Sequence, residues 1–261
     1  MSFSIAVAGK GGSGKTSISA LIIRYLVKNN MRPVLAVDAD PNANLGESLG
    51  LKIEETVGLM LDRFQKEKID IPSGMSKEAY LEYRLNSIML ETRDFELLSM
   101  GRGEGQDCYC YPNTILRKFI DRLSNSYSFI VMDNEAGMEH LSRGTTQDID
   151  ELLIVSNHSV KGIRTISRIQ ELVKELKLHV KNESIVINMA PYQLDPFIVN
   201  ELETLKLAPD AIIPQDELIY QADLQQNSLL NLPDNSVAVK AIDRLMTKIM
   251  SVKKKQPISG L

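Results

Sequence analysis

An apolar run, Ile5-Ala6-Val7-Ala8, leads into Gly9-Lys10-Gly11-Gly12-Ser13-Gly14-Lys15-Thr16. Directly after it, Ile18, Leu21, Ile22, Tyr25 and Leu26 recur at the spacing of one helix face. A strand, a glycine-rich turn and a helix in that order form a cradle for phosphate. Glycines let the backbone wrap an anion and aim its N–H groups inward, and the helix adds its positive end. Gly11, Gly12, Ser13, Gly14, Lys15, Thr16 and Ser17 are therefore the candidate nucleotide ligands. Lys15 is expected to reach the β- and γ-phosphates, and the Thr16 hydroxyl to ligate Mg2+.

Such a loop needs a sheet to stand on, and the rest of the chain provides one. Apolar runs recur at Val34–Val37, Leu97–Met100, Phe129–Met132, Leu152–Val155, Ile185–Ile187 and Ala211–Ile213. They are continuous rather than alternating, which suits strands buried on both faces of a parallel sheet. Helical patterns lie between them, for example Ile163, Ile166, Ile169 and Val173. The expected fold is α/β: a single P-loop domain over 1–250, with a mostly parallel sheet of about seven strands flanked by helices. Residues 54–95 are rich in charge and carry no convincing strand, so they read as a helical insertion. Residues 251–261 read as a basic tail.

Lys10 adds a second lysine at the start of the loop. The pattern K-G-G-x-G-K-T resembles the deviant Walker A ATPases, the group of MinD, ParA and the nitrogenase iron protein. That resemblance implies an ATPase whose ATP-bound form is a homodimer, with Lys10 reaching the partner's nucleotide as a catalytic residue beside Lys15. It also implies roles at three strand ends. Asp38-Ala39-Asp40-Pro41-Asn42 resembles switch I, where Asp40 would orient the attacking water and Asp38 would sit near the Mg2+ shell. Asp133-Asn134-Glu135-Ala136-Gly137 resembles switch II, where Asp133 would bind Mg2+ through water and the Gly137 N–H would sense the γ-phosphate. Asn188 resembles the adenine-reading Asn of the family, with Met189 where a Lys usually follows.

The chain's two cysteines stand in Asp107-Cys108-Tyr109-Cys110-Tyr111-Pro112. Pro112 suits the first turn of a helix, where nearby thiolates are favoured. Two soft ligands do not complete a tetrahedral site, but two such pairs meeting on a dimer axis supply four thiolates. Cys108 and Cys110 are the candidate intersubunit ligands, and a thiolate set of this kind accepts Ni2+, Zn2+ or another thiophilic ion alike. Lys10–Thr16, Cys108–Tyr111 and the stretch Glu135–Thr145 together resemble the CooC-type maturation ATPases and their AcsF branch. The switch sequences Asp38–Asn44 and Asp133–Glu135 lean toward AcsF. This resemblance implies ATP-dependent support of nickel insertion into acetyl-CoA synthase or carbon monoxide dehydrogenase. His140, near switch II, reads as a hydrogen-bonding residue of that loop rather than a further ligand.

Charge and hydropathy narrow the alternatives. The net charge of −4 argues against a broad grip on nucleic acid. No apolar stretch approaches the ~18 residues of a membrane span, and no export signal opens the chain, so a cytoplasmic protein is expected. A positioning ATPase of the MinD/ParA kind, acting on membrane or DNA, is the alternative reading. Its support is the stripe Ala241, Ile242, Leu245, Met246, Ile249 and Met250 beside Lys240, Arg244 and Lys248, which could lie on a bilayer. An iron–sulfur reductase fits less well, because its ligating cysteines come from separate loops.

Overall fold

Each continuous apolar run becomes a strand of one sheet. The computed structural model describes residues 2–66, 71–102, 118–135 and 148–255. Seven strands match the expected runs: β1 (Phe3–Gly9), β2 (Val34–Ala39), β4 (Glu96–Ser99), β5 (Phe129–Asn134), β6 (Asp148–Asn157), β7 (His179–Ala190) and β8 (Ala211–Pro214). An eighth, β3 (Leu90–Glu91), lies within the segment where no strand was expected. It pairs antiparallel with β4 through a turn in which the Thr92 hydroxyl accepts from the N–H groups of Asp94 and Phe95. Two residues are too few to show a strand's period of two, which is why the pattern missed it.

The strand order is β3-β4-β2-β5-β1-β6-β7-β8, with every other neighbouring pair parallel. Every residue of β1, β2 and β5 is buried, as strands covered on both faces require. β7 starts six residues before its apolar run, because its first half is half-exposed and bound by polar contacts. His179 pairs with Asp148 at 2.8 Å and Lys181 with Asp150 at 2.6 Å.

Helices α1 (Lys15–Lys28), α2 (Asn44–Ser48), α3 (Val57–Lys66), α4 (Lys77–Ile88), α5 (Val160–Glu175), α6 (Pro196–Thr204), α7 (Glu217–Leu224) and α8 (Val237–Lys255) flank the sheet, with a further helical stretch at 118–123. The predicted stripe of α1 is buried, and it joins α8 in one core layer. α5, α6 and parts of α3 and α4 fill the other. Arg24, buried on α1, donates to the Leu232 carbonyl at 2.7 Å and to Asp234 at 2.6 Å, tying α1 to the segment before α8.

The α8 stripe that could have met a membrane is packed on the sheet instead. Ala241, Ile242, Leu245, Met246, Ile249 and Met250 are all in the core. The helix continues to Lys255, into the segment read as a tail. Among the described residues, no helix is long and apolar enough to cross a membrane. Leu245→Ala is expected to lower the unfolding free energy by about 2–5 kcal/mol, read from the urea midpoint at unchanged slope. A helix lying on a bilayer would tolerate the change in solution.

Candidate active site

The site grows from where β1 stops. Gly9 ends the strand against β6 so closely that a Cβ there would fall 2.2 Å from the Val155 carbonyl oxygen. The chain then turns, with the Ser13 N–H donating to the Lys10 carbonyl at 3.1 Å, and enters α1 at Lys15. Gly14 caps that helix at φ +82°, a left-handed conformation that favours glycine. A Cβ there would meet Asn188 Nδ2 at 2.3 Å. No side chain caps α1 and no acid lies in its first turn, so its leading N–H groups are left to an anion.

Lys15 is buried, and its Nζ donates to the Lys10 carbonyl at 3.4 Å. Burial pushes its pKa down, against the pull of Asp133, Asp40 and Glu135. Lys10, Gly11 and Gly12 are exposed, while Thr16 and Ser17 are half-buried in the first turn of α1. Asn188, two residues before the end of β7, lies beside the loop and donates from Nδ2 to the Ser13 carbonyl at 2.9 Å.

Sheet register supplies the acidic wall. Parallel pairing of β2 with β5 sets Asp38 opposite Asp133, on strands about 4.8 Å apart. Asp38 accepts from Leu45 N–H at 2.9 Å and Asp40 N–H at 3.2 Å. Its pKa is nonetheless raised to about 7, first by burial and then by the charge of Asp133. Asp133 accepts from the Ser19 hydroxyl at 3.1 Å, and burial raises its pKa to about 6 against the pull of Thr16, Ser19 and Lys15. Its second oxygen, Oδ2, is buried with no hydrogen-bond partner in the protein. An orphaned carboxylate oxygen near the Thr16 hydroxyl fits a hard divalent cation such as Mg2+, which takes oxygen donors. Asp40, half-exposed, accepts from both the backbone N–H (2.8 Å) and the side-chain amide (2.9 Å) of Asn42.

Ser19 was not anticipated, although its place three residues after Thr16 puts it on the same helix face. Nor was Asn134, whose amide donates to the Val7 carbonyl at 3.0 Å and holds the end of β5 to β1. Cys108, Cys110, Gly137 and His140 lie outside the described residues. Among the described residues, no group of three or more His, Cys, Asp or Glu could hold a metal ion.

Fold and loop together define a P-loop ATPase. Residues 3–187 match the AAA domain family AAA_31, and the chain belongs to it. It is 40% identical to an uncharacterized ATP-binding protein of Methanocaldococcus jannaschii, over 95% of this chain and 99% of that protein. It is 29% identical to the carbon monoxide dehydrogenase accessory protein CooC of Rhodospirillum rubrum, over 84% of this chain and 86% of the relative. Among solved structures, the cell division ATPase MinD of Pyrococcus furiosus shares the fold at a TM-score of 0.70, with 22% identity over 97% of this chain and all of that one.

Two outcomes follow. Gly14→Ala is expected to abolish ATP binding in equilibrium dialysis. Adding Asn188→Ala removes the clash but not the backbone strain, so affinity stays at least about tenfold below that of the parent. The second concerns pH. Asp38 and Asp133 have folded-state pKa values of about 7 and about 6, above the ordinary 3.8. Between those limits the folded state binds more protons than the unfolded one, so stability falls as pH rises. In EDTA without nucleotide, Tm should drop between about pH 4 and pH 7, each carboxyl contributing up to about 1.4 kcal/mol per pH unit within its own interval. Asp38→Asn should flatten that profile.

Proposed function

We propose that this ATPase supports nickel insertion into acetyl-CoA synthase or carbon monoxide dehydrogenase, through an ATP-controlled homodimer that shares a thiolate site. The observation that carries the metal half is the pair Cys108 and Cys110, the chain's only cysteines, in a protein similar to a carbon monoxide dehydrogenase accessory protein. The phosphate loop and the carboxylates behind it support the ATP half. The AcsF-like switch sequences favour acetyl-CoA synthase as the client.

In this reading the loop N–H groups and the Gly14-capped end of α1 hold the β- and γ-phosphates. Lys15, held close to the loop and short of solvation, balances their charge as they arrive. Bound Mg2+ would neutralise charge on the transferring phosphoryl group, with Thr16 as ligand and Asp133 and Asp38 behind its water shell. Asp40 turns the attacking water toward the γ-phosphate and takes up its proton. Asn188 fixes the loop and faces the base. Lys10 completes the partner's site, so ATP closes the dimer and brings the two Cys108–Cys110 pairs to the axis. Four thiolates there take Ni2+ as cargo, and hydrolysis resets the pair. A positioning ATPase is less well supported, because the apolar face of α8 lies in the core.

Lys15→Ala should abolish ATP binding, whereas Asp40→Asn should keep it and slow hydrolysis by about 100-fold or more. The cargo reading is tested by dialysing reduced, anaerobic protein against Ni2+ with and without Mg-ATP. About one metal per dimer is expected, with an affinity that responds to ATP. Substituting both Cys108→Ser and Cys110→Ser should remove that binding and leave ATP binding intact. Unchanged nickel binding in the double variant would sink the shared thiolate site.

A further inference from the structure

Apolar side chains facing water are ordinary when scattered and informative when gathered. Eight of the eleven large ones exposed among the described residues lie between 189 and 224, at one margin of the sheet. Tyr192 and Phe197 are 95% and 78% exposed, and Tyr220 and Leu224 are 55% and 60% exposed. Their supports are well tied. Asp195 caps α6 by accepting from Phe197 N–H at 2.8 Å, and its own N–H donates to His158 Nε2 at 3.2 Å. Asp216 caps α7 through Leu218 N–H at 2.9 Å and also accepts from Ser236 Oγ and Ala238 N–H. Side chains displayed from capped helices cost little to order on binding.

Between these groups runs β8, the outer strand of the sheet, with no strand on its far side among the described residues. α6 packs through Ile198 and Leu202 into one core layer and α7 through Ala222 into the other, so exposed apolar groups flank β8 from both faces. Ile212 of β8 is itself exposed. An uncovered edge strand is a template for another strand.

Charge selects the occupant. Lys206 is the one basic residue between 189 and 224; Arg164 of α5 and Lys248 of α8 reach the margin as well, but each is paired there, with Glu201 and Asp210. The acids there include Asp195, Glu203, Glu217 and Asp223, all exposed. Such a margin repels phosphate-rich nucleic acid and anionic membrane, and it repels a second copy of itself. We propose that it docks a partner protein through an extended, apolar segment rich in lysine or arginine, laid along β8 as an added strand. Its occupancy does not depend on nickel being the cargo.

A synthetic decapeptide alternating valine with lysine, its glutamate counterpart and the full-length protein with Mg-ATP make the test. Fluorescence anisotropy should show saturable binding of the lysine peptide that weakens with salt, and none of the glutamate peptide. Exchange of the β8 amides that face the free edge should slow on binding. The combined change Phe197→Ser, Tyr220→Ser and Leu224→Ser should weaken binding by about tenfold or more while ATP binding stays unchanged. Equal binding of both peptides, no saturable binding, or indifference to the triple change overturns the proposal. Self-association in sedimentation that the same triple change abolishes also overturns it, because the occupant would then be a second copy.

Discussion

The hydrogen-bonded register between β2 and β5 is the constraint on which the site depends. It aligns Asp38 with Asp133 at the same height, under the start of α1. A slip of one residue would turn one carboxylate to the other face of the sheet and leave its partner alone. The register is held by apolar side chains buried on both faces, so the chemistry at the strand ends is set by packing well below them. Asn134, gripping the Val7 carbonyl, extends the same control to β1 and hence to the loop that β1 feeds.

Electrostatically the site is built in tension. Two acids and a lysine are withdrawn from water, and burial pushes each toward its neutral form. Attraction between Lys15 and Asp133 offsets that cost only in part, and repulsion between the two acids adds to it. A triphosphate brings the negative charge that Lys15 lacks, and a divalent cation brings the positive charge that the carboxylates lack. Protein and ligand are thus complementary in what each leaves unbalanced.

Much of this was legible in the chain, for physical reasons. Strands buried on both faces announce themselves as unbroken apolar runs, and α1 shows an apolar stripe even though the fold buries it all round from Ile18 to Leu26. The phosphate loop is readable because only glycine tolerates the conformation and the crowding seen at Gly14. What stayed hidden needed contacts across the sequence. Nothing local to Asp38 says that it stands beside Asp133, and Ser19 has meaning only once α1 lies over β5. The first half of β7 was hidden because polar residues, held by pairs such as Lys181 with Asp150, do the work that apolar residues do elsewhere. β3 was too short to have a pattern at all. Asn188 was expected beside a base, and its hold on the Ser13 carbonyl emerged only from the fold.

The orphaned oxygen of Asp133 has a consequence for how long the molecule lasts. A group that is uncomfortable without its ligand makes the folded state gain durability whenever the ligand is present, because binding draws the population away from open forms. Proteases and chaperones act on those open forms. If Mg-nucleotide binds at Asp133, copies that hold it should outlive copies that have lost it.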